Sequence, residues 1–148
     1  MVDVVTSIVI DAPRNVVAAY AAEPSRAPEW YENIESVEWR GAPGLREGAK
    51  VAFVAHFLGR RLSYTYEIVA HRPGEHLIMR TSDGPFPMQT EYTWSDVAGG
   101  SGTKMTLRNH GEPAGFGRIG APLMTMAMRR ANRRDLERLK DVLERATR

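Results

Sequence analysis

Residues 114–148 read AGFGRIGAPLMTMAMRRANRRDLERLKDVLERATR. Apolar side chains recur there at steps of three and four: Phe116, Ile119, Leu123, Met124, Ala127, Met128, Ala131, Leu136, Leu139, Val142, Leu143 and Ala146. That period predicts a closing helix of about thirty residues with a single apolar stripe. Its second half is rich in helix formers, and Arg133 with Glu137 and Asp141 with Arg145 pair at i,i+4 on a solvated outer face. Gly115, Gly117, Gly120 and Pro122 weaken the opening turns, which sets the expected start near Ala121, after a mobile glycine-rich lead-in.

Roughly eighty residues of strand and turn precede this helix. Residues 34–40, 50–58, 62–70, 76–82, 88–97 and 103–111 read as strands, separated by glycine and proline breaks; Gly59 with Arg60 reads as a tight hairpin turn. Farther back, residues 2–10 are rich in β-branched side chains and suit a first strand. Asp11 is placed to cap a helix with Pro13 in its first turn and Val16, Val17 and Tyr20 on its apolar face; this helix ends by Pro24. Ser25 starts a second short helical turn that runs through Pro28 to Trp30. One strand, two short helical pieces, a meander of strands and a long last helix favour an α+β arrangement: a curved antiparallel sheet wrapped around the closing helix, with a cavity between them.

The chain has 148 residues, 43% of them hydrophobic and 26% charged, which fits one soluble globular domain spanning 1–148. No stretch approaches the ~20 consecutive apolar residues of a membrane helix, so no stable membrane insertion is expected. There is no cysteine, which excludes disulfides and thiolate metal sites. The opening MVDVVTSIVID lacks the basic region and apolar run of a secretion signal, so a cytoplasmic location is expected. A net charge of +2 gives a weak overall field and no case for nucleic acid.

Several local features carry a family resemblance. These are Ile10-Asp11-Ala12-Pro13 at the end of the first strand, Trp30 after a short helix, the hairpin Leu58-Gly59-Arg60 and the segment Tyr66-Glu67-Ile68-Val69. The turn Gly84-Pro85-Phe86-Pro87, and Gly111-Glu112-Pro113 before an arginine-rich last helix, complete the set. In that order they resemble the polyketide cyclase/dehydrase-like branch of the START/Bet v 1 (SRPBCC) superfamily across essentially the whole chain. The resemblance implies a helix-grip fold, in which about six or seven antiparallel strands grip the long helix around a cavity for a hydrophobic molecule. It also implies a role in binding lipid-like or polyketide-like molecules, or in their cyclisation or dehydration; function belongs to the cavity residues, not to the fold.

Strand alternation sketches that cavity, since successive side chains point to opposite faces. Leu62, Tyr64, Tyr66 and Ile68 share one face; Leu77, Met79 and Thr81 share one; so do Met88, Thr90, Tyr92 and Trp94, and Met105, Leu107 and Asn109. These rows are assigned inward. Strand 50–58 is ambiguous, with Val51, Phe53, Ala55 and Phe57 taken as its inward row. The expected ligand-contacting residues are Trp30, Phe53, Phe57, Tyr64, Tyr66, Met79, Thr81, Met88, Tyr92, Met105, Leu107 and Asn109, joined by Phe116, Met124 and Met128 from the end of the chain. An aromatic and methionine-rich wall with few polar groups suits a mostly apolar ligand, although the same rows also suit an ordinary packed core. The inward tyrosine hydroxyls need partners, which a solvated cavity or a ligand would supply.

Catalytic chemistry is sparse. Proton abstraction beside a carbonyl needs a base and a donor for the enolate, and no inward strand row holds a carboxylate. His56, His110, Arg80 and Arg108 fall on outward rows, with both arginines solvated, and His71 and His76 flank a turn without further ligands. No metal, no cofactor and no phosphate-binding or nucleophile motif is expected. Arg129, Arg130, Arg133, Arg134 and Arg138 lie among Asp135, Glu137, Asp141 and Glu144, a solvated face without the aromatics that stack bases, so no nucleic-acid partner is expected. A homodimer through this face or an exposed strand stays open. The sequence favours a binder of a small hydrophobic molecule; the alternative is a polyketide cyclase or dehydratase, and an interaction or toxin-like regulatory module comes third.

Overall fold

A computed structural model describes residues 2–84, 87–112 and 120–146. Seven strands form one antiparallel sheet: β1 (Val2–Ile10), β2 (Ile34–Arg40), β3 (Lys50–Phe57), β4 (Arg60–Arg72), β5 (His76–Asp83), β6 (Met88–Val97) and β7 (Gly102–Gly111). Their order across the sheet is β1-β7-β6-β5-β4-β3-β2, so the first two strands lie at opposite edges. The connection between them carries α1 (Arg14–Ala22), a 3₁₀ turn (Pro24–Arg26) and α2 (Ala27–Trp30), and α3 (Ala121–Ala146) closes the chain. This is the antiparallel sheet around a closing helix expected from the order of elements, and the helix-grip fold that the resemblance implies. Residues 114–119 of the glycine-rich lead-in, and residues 85 and 86 of the 84–87 turn, lie outside the described residues.

Period-two alternation explains the strands. On β3, Val51, Phe53 and Ala55 are buried while His56 is exposed, which fixes the ambiguous strand in the orientation assigned to it. The inward rows of β4 to β7 are buried or half-buried as read, and Thr103 extends the β7 row at 0% exposure. The β3–β4 turn differs from the reading. Phe57 pairs with Arg60, so the loop is Leu58-Gly59, with φ of 51° and 76°. Two left-handed residues make the mirror-image turn whose twist matches the flanking strands, and Gly59 adopts its angle without steric cost.

The first corner also differs. Asp11 does not cap α1: the cap position is Pro13, without a side-chain bond. The Asp11 N–H donates instead to Glu144 Oε2 at 2.8 Å, and Thr103 Oγ1 donates to Ala12 O at 2.8 Å, so α3 and β7 hold this corner. On α1, Val17, Ala18, Ala21 and Ala22 are buried and Tyr20 is half-buried against the core with its hydroxyl bonded to Glu29, whereas Val16 is exposed.

Two packed clusters hold the layers together. The larger joins Leu136, Leu139 and Leu143 of α3 to Ile10, Val17, Trp30, Ile68, Leu77, Met105 and Leu107; the smaller joins Met124 and Met128 to Val2, Val4 and Leu62. The helix therefore grips the sheet at two places along its length of roughly 39 Å.

Candidate functional site

Side chains from both clusters surround a cavity of about 140 Å³ between sheet and α3. One wall is aromatic. Phe53 stacks on Tyr64 at 5.5 Å between ring centres, and Tyr66 meets Phe53 and Tyr64 edge-on at 5.6 and 5.2 Å. Cross-strand pairing of Phe53 with Tyr64, and of Val51 with Tyr66, brings these rings together on β3 and β4. Met79, Thr81, Met88, Thr90, Tyr92 and Asn109 continue the wall across β5 to β7. Met124, Met128, Asn132 and Asp135 of α3 cover it, and Ala21, Ala22, Ala27 and Tyr31 of the helical connection close one end.

The polar groups form two sets. In the first, Thr90 Oγ1 donates to Asn109 Oδ1 at 2.6 Å, so the Tyr66 hydroxyl, 2.7 Å from Thr90 Oγ1, is the donor to it. The Asn109 amide N–H groups have no acceptor among the described residues, and the Tyr64 hydroxyl likewise has no hydrogen-bond partner there. In the second set, the Tyr31 and Tyr92 hydroxyls share a 2.5 Å hydrogen bond. Asp135 is 3% exposed and accepts from the Glu32 backbone N–H at 3.1 Å. The buried Nδ2 of Asn132, one helical turn before Asp135, has no partner among the described residues.

Electrostatics follow from burial. Loss of water raises Asp135 from 3.8 to about 6; the Glu32 N–H, Arg134 and Arg138 oppose the rise. Burial pushes Tyr66 up to about 12, and raises Tyr31, Tyr64 and Tyr92 as well. The four phenols therefore stay protonated near neutral pH and act as hydrogen-bonding groups. Asp135 is a buried cavity carboxyl poised to exchange a proton there.

Of the expected ligand contacts, Phe53, Phe57, Tyr64, Tyr66, Met79, Thr81, Met88, Tyr92, Asn109, Met124 and Met128 line the cavity. Trp30, Met105 and Leu107 do not. All three are fully buried in the larger cluster. Trp30 lies against Tyr31 at 4.1 Å, and it is Tyr31 that reaches the cavity. Met105 and Leu107 of the β7 row belong to the larger cluster, and the row meets the cavity only at Asn109. Phe116 lies outside the described residues.

The sequence reading missed Tyr31, Asn132 and Asp135, and it placed Asp135 on the solvated face. A signal existed: counting four, seven and eleven from Met128 lands on Asn132, Asp135 and Leu139, which puts two polar residues on the buried stripe. Arg108 lies on the outward row as assigned, with its side chain 44% exposed. It binds Asp3 through two bonds of 2.9 and 2.8 Å and approaches Glu91 at 3.4 Å. His56 is exposed as assigned, with Nε2 3.0 Å from Glu35, and it also borders the cavity. Among the described residues, no group of three or more His, Asp or Glu side chains is arranged to hold a metal ion.

A family model described as "Polyketide cyclase / dehydrase and lipid transport" matches residues 1–144. No curated protein matches the chain. Among solved structures, TTHA0849 from Thermus thermophilus superposes with a TM-score of 0.82 at 20% identity, covering 99% of each chain. The Zhui aromatase/cyclase from Streptomyces sp. R1128 gives 0.80 at 17% identity, covering 99% of this chain and 95% of its own. A START superfamily protein from Mycobacterium smegmatis gives 0.81 at 9% identity, covering 97% and 98%. At these identities the likeness is one of fold.

Proposed function

Because this chain belongs to the polyketide cyclase/dehydrase and lipid transport family, we propose that it binds a small, largely apolar molecule of lipid-like or polyketide-like character in the cavity between sheet and α3. The observation that carries this reading is an aromatic and methionine-lined space into which the chain brings hydrogen-bonding groups it leaves unpaired: the Tyr64 hydroxyl, the Asn109 amide and the Asn132 amide. A polar atom buried without a partner, as Asn132 Nδ2 is, is costly in a finished core, so a guest that hydrogen-bonds to it would offset that cost. The space also bears on guest size. An engineered apolar cavity of about 150 Å³ accepts benzene, so about 140 Å³ suits one ring or a short chain segment at a time. An interaction module would be favoured by a filled interior, and the cavity speaks against it.

Mass spectrometry of material extracted from the purified protein tests the reading, together with Met79→Trp. The indole fills the space, so co-purifying ligand should drop at least tenfold while the unfolding temperature stays within a few degrees. Undiminished ligand in Met79→Trp would place the site elsewhere.

Asp135 favours a second reading, a cyclase or dehydratase. A carboxylate with a pKa of about 6 is suited to taking a proton next to a carbonyl, while the Asn109 amide or a Tyr hydroxyl offers a hydrogen bond to the enolate oxygen. Incubation with a poly-β-carbonyl thioester separates the two. A binder returns it unchanged beyond the spontaneous rate, whereas an enzyme accelerates its loss and Asp135→Asn abolishes that acceleration while still binding it.

A further inference from the structure

The first half of α3 has an outer face that the cavity does not use. Leu123 and Met126 are 62% and 65% exposed, the most open large apolar side chains among the described residues. At about 100° per residue they share an outward arc with Arg130 and Arg133, flanked by Arg129 and opposite Met124, Met128 and Asp135. Residues 121–134 hold four arginines and no carboxylate. Arg134 is engaged by Glu32 at 3.6 Å. Arg129, Arg130 and Arg133 are exposed and have no ion-pair partner among the described residues. The next carboxylate on this arc is Glu137, a turn farther along.

We propose that this face, Leu123, Met126, Arg129, Arg130 and Arg133, docks the protein reversibly on an anionic lipid bilayer, with the first half of α3 lying along the membrane surface. Charge complementarity selects the partner. Apolar side chains set among unpaired cations match the boundary where acyl chains meet anionic headgroups. A second copy of this face would set arginine against arginine. Nucleic acid would answer the cations, but Leu123 and Met126 gain nothing from a phosphate backbone and no aromatic side chain on this arc stacks on bases. Two apolar residues give shallow, salt-sensitive attachment. The inner side of the same helical turns, Met124 and Met128, lines the cavity, so docking brings the cavity to the membrane. The inference stands whatever the cavity holds.

The test is flotation of the full chain with vesicles of phosphatidylcholine alone and with about one third phosphatidylglycerol. Capture is expected on the anionic vesicles only, and it weakens as salt rises. Arg129→Gln with Arg130→Gln and Arg133→Gln should weaken capture on the order of 100-fold, at about fivefold per arginine. Leu123→Ser with Met126→Ser should also weaken it severalfold. A charge-matched control, Lys50→Gln with Arg80→Gln and Lys104→Gln on the outward side of the sheet, should leave it near the wild-type level. Circular dichroism and thermal unfolding verify that each variant folds; the positions are all exposed. No capture by anionic vesicles overturns the proposal, as does equal loss in the control. Capture by duplex DNA that the Leu123 and Met126 changes leave untouched would assign the face to nucleic acid instead.

Discussion

Asp135 sets the strongest expectation at the scale of a single residue. Its pKa of about 6 in the folded chain lies above the ordinary 3.8 because burial disfavours the charge. Between these values the folded state holds more proton than the unfolded state, so stability falls as pH rises from about 4 to about 6 and the full cost is present above that. A gap of about two pH units corresponds to about 3 kcal/mol. Asp135→Asn should therefore be about 2–3 kcal/mol more stable than wild type at pH 8 and nearly equal to it at pH 4 in urea unfolding. A constant difference across that range would mean that the carboxylate is solvated. Thr90 is the second such site. Thr90→Val removes both bonds of the relay and strands Tyr66 and Asn109, whereas Tyr66→Phe removes one bond and leaves Thr90 bonded to Asn109. The first should cost about 1–3 kcal/mol and the second about 0.5–1.5 kcal/mol, with the order readable from paired denaturation curves.

At the scale of elements, α3 does two jobs along one stripe. Leu139 is enclosed in the larger cluster, while Met128 borders the cavity. A side chain facing empty space has contacts on one side only, so its truncation forfeits less. Leu139→Ala should cost about 2–5 kcal/mol and Met128→Ala clearly less, measured as the difference in unfolding free energy. Equal losses would indicate a helix packed uniformly along its length. The stripe also marks what was legible in the sequence. Its period placed α3 correctly, and alternation assigned the inward rows of β3 to β7, because both follow from backbone geometry. Asp135 was obscured by the arginines around it, since charge composition reports a neighbourhood and not a direction. Alternation gives the face on which Met105, Leu107 and Asn109 stand, yet only tertiary packing decides that the first two are covered and the third is not. Tyr31 follows a four-residue helix, too short for any period to show where its side chain points.

The whole molecule is a sheet held to one helix at two places with a space left between them. The smaller cluster, around Met124 and Met128, holds fewer buried side chains than the larger one, and both methionines line that space. Local stability differs accordingly, with openings expected first where fewer apolar contacts bind helix to sheet. Methionines report on each region. Met79, Met88, Met124 and Met128 line the cavity, Met105 sits in the larger cluster, and Met126 faces outward. The most direct measurement is titration of methyl-labelled protein with toluene, a one-ring apolar probe, followed through the methionine methyl resonances. Saturable shifts at Met79, Met88, Met124 and Met128, with Met105 and Met126 unmoved, are the expected result. No shift at the four lining methyls, or movement of Met126 alone, would contradict the account.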